Sequence, residues 1–250
     1  MYSVKRILKA IHWLLFGKPD QRRRIRLELA RISASLFGDY YISEDYKLWR
    51  EDDEFFKKYK SLSPGNPYSQ DRKFTLREFA RQVKNVQGDM AECGCYEGAT
   101  AWFMANEYPD VPLHLFDSFA GLSEPSKFDL ASSDSHFQWK SGDLRTPESR
   151  VSETLKEFKR IEIYKGWIPE RFPEVADRKF RLVHIDVDLY QPTRDSLEFF
   201  YPRMAPGGVL VFDDYGVTSC PGAYKAVNEY MNDKPEYVLH LPTAPVSYTH

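Results

Sequence analysis

Two short acidic clusters carry the residues best suited to chemistry: His184-Ile-Asp-Val-Asp-Leu-Tyr190 and Phe212-Asp-Asp-Tyr215. Asp186 and Asp188 are two apart, so in extended chain they share a face. Asp213 and Asp214 would point oppositely in a continuing strand, and both reach one site only where the strand has ended. If the two segments are neighbouring strands, about 4.8 Å apart, all four carboxylates converge. Such a crowd must bind protons unless a cation joins it. Oxygen-only donors suit a hard ion, Mg2+ above all. The bland alternative is that one or two of these aspartates cap the helices that follow. His184 is expected to face away from Asp186, as a core or supporting histidine rather than a base.

A third cluster is Glu92-Cys-Gly-Cys-Tyr-Glu-Gly98. Only Gly94 and Gly98 survive of a G-x-G-x-x-G pattern, and Glu92 takes the first glycine's place. A dinucleotide's pyrophosphate needs bare backbone N–H groups at close range, and a carboxylate there repels it. S-adenosylmethionine carries no phosphate; its sulfonium and ammonium groups are attracted to a carboxylate. Asp117 closes the next apolar run and is placed to accept hydrogen bonds from ribose hydroxyls. The alternative for the glycine pair alone is a tight strand-to-helix turn.

Methyl transfer to an alcohol explains why such a site would want a cation. An alcohol resembles water, with a pKa of about 15.7, whereas a carboxylate sits near 4. The mismatch of about 12 units corresponds to roughly 16 kcal/mol. A positioned base alone contributes about 10²- to 10⁴-fold. A bound cation stabilises the developing alkoxide directly, and a nearby Asp then has a feasible proton to take.

The elements that position these residues can be read from periodicity. Strands are expected at Asp89–Cys93, Leu113–Phe116, Ile161–Tyr164, Leu182–Ile185, Val209–Phe212 and Tyr237–Leu241. Helical patterns run from the Gly98 turn to about Tyr108, over Arg194–Tyr201 and over Ala223–Met231. Strands alternating with helices make an α/β, doubly wound, mostly parallel sheet with helices on both faces. In such sheets ligands bind outside the carboxyl ends of the strands, where all three clusters fall. Residues 118–141 read as a long loop over the site. Its Phe119, Phe128, Phe137 and Trp139 form either a lid over the acceptor or satellite packing. The predicted organisation is a basic amphipathic helical arm (1–37), a connector (38–73) that ends in the turn cluster Ser61-Leu-Ser-Pro-Gly-Asn-Pro67, and the α/β domain (74–250).

Composition fits an ordinary globular protein: 250 residues, 42% hydrophobic and 29% charged, with a net charge of −2. No global field argues for a nucleic-acid partner. No apolar run approaches the roughly 20 residues of a membrane-spanning helix. Three cysteines fit a reducing, cytoplasmic compartment rather than a disulfide scaffold. Cys93 and Cys95 read as packing residues rather than as a metal or redox pair with Cys220. Residues 1–30 hold eight basic and two acidic side chains, so the rest of the chain carries −8. Lys9 and His12 interrupt what would be a signal peptide's apolar region, and no small-x-small site follows Phe16. Two readings of this arm stand: packing on the domain or a sister subunit in a homo-oligomer, or peripheral contact of residues 1–30 with an anionic membrane.

With Leu115-Phe-Asp-Ser-Phe-Ala-Gly-Leu122 and Lys165-Gly-Trp-Ile-Pro-Glu170, the three clusters make five ordered motifs. Over residues 74–240 the chain resembles the macrocin O-methyltransferase family, bacterial enzymes that methylate sugar hydroxyls. The resemblance implies a seven-stranded, Rossmann-like class I methyltransferase fold that uses S-adenosylmethionine and Mg2+. It implies Asp186, Asp213 and Asp214 as metal ligands and Asp188 as general base. Around the cofactor it places Glu92, Gly94, Cys95, Tyr96, Asp117, Ser118, Gly121, Gly166, Trp167 and Asp186, with Trp167 near the adenine and Thr75 at the cofactor's carboxylate end. The acceptor it implies is a small molecule or glycan. Cys95-Tyr96-Glu97 departs from the family's more usual aliphatic residue, Trp and Arg. Nine residues follow Leu241, which leaves a short final antiparallel strand (Val246–Tyr248) or an incomplete one.

Three other classes compete. A glycosyltransferase would use Asp186-Val-Asp188 as a DxD motif for Mn2+ and a nucleotide sugar, which leaves Glu92 and Asp117 without a role. A nicotinamide oxidoreductase lacks its first glycine. A non-catalytic glycan- or membrane-associated protein would reduce the carboxylates to helix caps.

Overall fold

The computed structural model describes residues 4–36, 48–66, 69–130, 138–241 and 246–249. Phe137, Pro67 and the whole stretch 37–47 lie outside the described residues. The chain divides into two compact units, Met1–Glu54 and Phe55–His250.

In the first unit α1 (Val4–Phe16) and α2 (Pro19–Leu36) form a helical hairpin. Gly17 ends α1, and Pro19 opens α2 at the first helical position, where its missing N–H costs nothing. A short 3₁₀ turn, Leu48–Glu51, follows. No helix among the described residues is long and apolar enough to cross a membrane.

The second unit is built on a seven-stranded sheet: β1 (Asp89–Cys93), β2 (Leu113–Asp117), β3 (Ile161–Lys165), β4 (Phe180–Ile185), β5 (Met204–Phe212), β6 (Leu239–His240) and β7 (Val246–Thr249). The spatial order is β3-β2-β1-β4-β5-β7-β6. β1 to β5 are parallel, and β7 runs antiparallel to both β5 and β6. The final strand is thus present and short. The helices are α3 (Asp53–Leu62), α4 (Gln70–Gln82), α5 (Ala99–Glu107), α6 (Glu148–Thr154), α7 (Tyr190–Phe200) and α8 (Pro221–Met231). α3 falls within the stretch expected as connector; Phe55 and Tyr59, one turn apart, are buried there.

Alternation along the strands creates two cores. Met90, Leu113, Leu115, Leu182, Val209 and Val211 point to one face and pack with residues of α3, α4 and α5. Ala91, Cys93, Phe116, Val183, Ile185, Leu210 and Phe212 point to the other and pack with residues of α7 and α8. Cys93, Cys95 and Cys220 are free and buried. On the first face the period-two pattern places Glu92, His184 and Asp213 in line across β1, β4 and the end of β5, a charged row inside an apolar layer.

The sheet reverses its winding between β1 and β4. The ladder runs past the strands there: Asp186 N–H donates to Cys93 O (2.9 Å) and Gly94 N–H to Phe116 O (2.9 Å). Gly94 has φ 80°, and a Cβ on it would lie 1.8 Å from Asp186 O. Its glycine is therefore explained by backbone crowding at the switch point.

Candidate active site

A cleft of about 350 Å³ opens at this switch point. Its walls come from the loops after β1 (Gly94, Tyr96), β2 (Asp117, Ser118, Gly121, Leu122), β3 (Gly166, Trp167, Ile168) and β4 (Asp186, Val187, Asp188, Leu189). Nine expected site residues meet here: Gly94, Tyr96, Asp117, Ser118, Gly121, Gly166, Trp167, Asp186 and Asp188. Ser123, Leu144, Gln191 and Pro192, which no motif singled out, line it as well, with Phe116 of β2.

Asp117 fixes two of these loops. Its Oδ2 accepts from Cys95 N–H (2.9 Å) and Tyr96 N–H (3.1 Å), and its Oδ1 from Phe119 N–H (2.7 Å). A carboxylate offers about four lone-pair positions, so Oδ1 keeps one for a ligand hydroxyl. The buried Cys95 thiol also donates to Asp117 Oδ2 (3.6 Å), and Thr75 spends its hydroxyl on Asp71 O (2.7 Å). Neither residue lines the cleft, nor does Glu92, which is 0% exposed.

Glu92 instead meets His184, whose Nδ1 lies 2.9 Å from Glu92 Oε1 while Nε2 lies 3.5 Å from Asp213 Oδ1. The expectation that His184 faces away from Asp186 is corrected. Residues two apart on a strand share a face, and His184 has a ring nitrogen within 4.8 Å of carboxylate oxygens of Asp186 and Asp213. Burial alone would push its pKa down, but the hydrogen bonds to Asp213 and Glu92 outweigh burial and raise it to about 10. The charged imidazolium form is thereby favoured, with Nδ1 at hydrogen-bond distance from Glu92 and Nε2 facing Asp213. The same contact, with Arg72 of α4, holds Asp213 below the usual carboxylate range although burial opposes it. The Arg72 guanidinium pairs directly with Asp213.

The remaining carboxyls are pushed the other way. Burial and the charge of Asp213 raise Asp186 to about 8. Burial raises Asp188 to about 6 against a hydrogen bond from the Cys220 thiol. Burial, with Asp188 and Asp186 close by, lifts Asp214 well above the usual range. β5 ends at Phe212 and a turn begins at Asp213, so Asp213 and Asp214 both reach the site. Asp188 has a left-handed backbone (φ 59°), which costs a non-glycine residue about 1–3 kcal/mol. Its N–H donates to Asp214 Oδ2 at 2.7 Å.

The donor chemistry fits a divalent cation. Potential ligands fall into two adjoining groups, His184 with Asp186 and Asp213, and Asp188 with Asp214 and Cys220. His184 is engaged by Glu92 and faces Asp213, and burial with Asp214 and Asp188 pushes the Cys220 thiol up, so it stays neutral. The oxygens remain, and oxygens suit a hard ion. The expected set of Asp186, Asp213 and Asp214 spans both groups. Helix capping falls to another residue: Asp129 accepts from Tyr190 N–H at the start of α7 (2.6 Å).

The described aromatic residues of the loop after β2, Phe119, Phe128 and Trp139, pack against neighbours. Phe119 is buried, the Phe128 ring lies 4.7 Å from that of Tyr190, and Trp139 Nε1 donates to Cys220 Sγ (3.4 Å).

Residues 69–238 match the macrocin-O-methyltransferase (TylF) family. The chain belongs to that family. Its curated relatives include the 8-demethyl-8-(2,3-dimethoxy-alpha-L-rhamnosyl)-tetracenomycin-C 4'-O-methyltransferase of Streptomyces olivaceus, 27% identical over 154 residues, which are 55% of this chain and 57% of that protein. Another is the demethyldecarbamoylnovobiocin O-methyltransferase of Streptomyces niveus, 26% identical over 156 residues, 58% of this chain and 59% of that one. The chain thus matches less than two thirds of the length of these relatives. Among solved structures, the O-methyltransferase NovP shares the fold, with a TM-score of 0.64 at 20% identity, covering 79% of this chain and 98% of that one.

Proposed function

We propose that this protein methylates a hydroxyl of a sugar or glycoside, a small molecule or a glycan, using S-adenosylmethionine and Mg2+. The observation that carries the proposal is that Asp186 and Asp188 line the same cleft as Asp117, Ser118 and Trp167. Proton-accepting carboxylates and a nucleoside-sized recess are thereby contiguous. The curated relatives are named as O-methyltransferases of glycosylated natural products, which supports the same acceptor class.

In this reading Asp117 Oδ1 and Ser118 hold the ribose, and Trp167 covers the adenine. Asp186, Asp213 and Asp214 hold the metal. Asp188 takes the hydroxyl proton on a carboxylate oxygen while the hydroxyl's oxygen forms its new bond to the methyl carbon; the carbon–sulfur bond breaks, its electron pair stays on sulfur, and S-adenosylhomocysteine leaves. S-adenosylmethionine supplies an electrophilic methyl group, and Mg2+ would stabilise the alkoxide as it develops. Glu92 and His184 act from beneath: the imidazolium fixes Asp213 and keeps it ionised. The left-handed turn at Asp188, tied to Asp214, keeps the base at the cleft rather than continuing β4. Cytoplasmic placement is part of the proposal, supported by the three free, buried cysteines.

The test is transfer of labelled methyl from S-adenosylmethionine to a panel of deoxysugar glycosides, with and without EDTA. Label in a glycoside, lost in chelator and restored by Mg2+, is the expected result. Transfer unaffected by EDTA would remove the metal, and no binding of S-adenosylmethionine would remove the enzyme.

A further inference from the structure

Residues 4–36 hold nine basic and two acidic side chains, and α1 itself contains no acidic residue. Ala10, Trp13 and Leu14, at i, i+3 and i+4, form the half-buried stripe of α1, which packs on α2. On the opposite side Leu8, Ile11 and Leu15, at i, i+3 and i+7, form a second apolar stripe, and that one is exposed. Leu15 is 59% and the adjoining Phe16 76% exposed. A helix that only needed to hold its partner would carry one such stripe.

Exposed bases accompany the apolar surface of each helix. Lys9 is exposed on α1, with its Nζ 4.7 Å from the Trp13 ring centroid. On α2, Arg22 and Arg26 are exposed one turn apart, and the exposed Leu29 follows on the same face, so bases again flank apolar surface. Outside this segment the chain is net acidic.

We propose that the α1–α2 hairpin docks this protein on an anionic lipid surface. Leu8, Ile11, Leu15 and Phe16 enter the boundary between headgroups and acyl chains, and the exposed bases pair with the headgroups. Neither signal suffices alone, since stable peripheral binding takes apolar burial together with a basic patch. The proposal goes beyond the reaction, because the hairpin lies outside the unit that contains the cleft.

The test is co-sedimentation of the full chain with vesicles of phosphatidylcholine alone or mixed with phosphatidylglycerol. Binding is expected only with phosphatidylglycerol present and is expected to be released by high salt. The pairs Leu15→Glu with Phe16→Glu, and Arg22→Glu with Arg26→Glu, should each weaken it at least about tenfold. S-adenosylhomocysteine affinity should be unchanged in both, which separates this proposal from the methyltransferase reading and reports folding. If a variant misfolds, the lipid and salt dependence of the unaltered chain decides. Absence of binding, equal binding to both vesicles, or undiminished binding by folded variants would overturn the proposal. So would a change in gel-filtration mass without any vesicle binding, which assigns the stripe to a second copy of the chain.

Discussion

The backbone N–H of Asp188 donates to a carboxylate oxygen of Asp214 at 2.7 Å. This one bond ties the turn after β4 to the turn after β5, and it holds the proposed base against the proposed metal ligands. Asp214 therefore has two separable duties, accepting that N–H and supplying an oxygen to a cation.

Replacing Asp214 separates the two. Asp214→Asn keeps an acceptor of the same shape and removes a charge that burial and the neighbouring carboxyls disfavour, so stability should change little. Asp214→Ala leaves a buried N–H without a partner, at a cost of about 1–3 kcal/mol. Calorimetric Mg2+ titration should show weakened binding in both variants, and thermal melting should show a loss in the alanine variant only.

Asp188→Asn should lower kcat by about 10² or more while affinity for S-adenosylhomocysteine stays within a few-fold. Near-unaltered turnover in that variant would remove Asp188 as the base.

The carboxyl cluster makes stability depend on pH in a stated direction. The Asp186 and Asp188 carboxyls are raised to about 8 and about 6 in the folded chain, against about 3.9 unfolded. The stability they contribute is complete below about pH 4 and is lost as pH rises through those folded values. His184, raised to about 10, loses its contribution in the same sense at higher pH. In EDTA the melting temperature should fall from pH 5 to pH 8. Because Mg2+ competes with the protons, it should raise the melting temperature more at pH 8 than at pH 6.

His184 lies between two buried acidic groups, Glu92 and Asp213, so its loss leaves both without that partner. His184→Leu should cost about 3 kcal/mol, or roughly 6–12 °C in melting temperature. Adding Glu92→Gln should recover part of that loss, as a double-mutant cycle would register.

Much of this was legible in the sequence because strands buried on both faces are short, nearly unbroken apolar runs. β1 matches its expected bounds, and the four aspartates fall at the strand ends where alternation placed them. β4 and β5 begin earlier than expected, since Arg181 and the Pro206-Gly207-Gly208 stretch interrupt their apolar pattern. α6 has one buried residue, Val151, and so offers almost no periodicity. α3 shows helical spacing at Phe55 and Tyr59 but stands in a polar stretch that reads as connector. Arg72 had no local signal at all: it meets Asp213 across 141 positions of sequence. His184 was visible, but its face was misjudged where the period-two rule was enough to assign it.

The central claim is that aspartates from the ends of β4 and β5 hold a divalent ion beside a cofactor cleft at the β1–β4 switch point. Anomalous diffraction from crystals soaked with Mn2+ and S-adenosylhomocysteine tests it most directly. The account predicts a manganese peak among Asp186, Asp213 and Asp214, with the Arg72 guanidinium displaced and the ligand's ribose at Asp117. A ligand-filled cleft with no metal peak at those carboxylates, or a metal bound elsewhere, would contradict it.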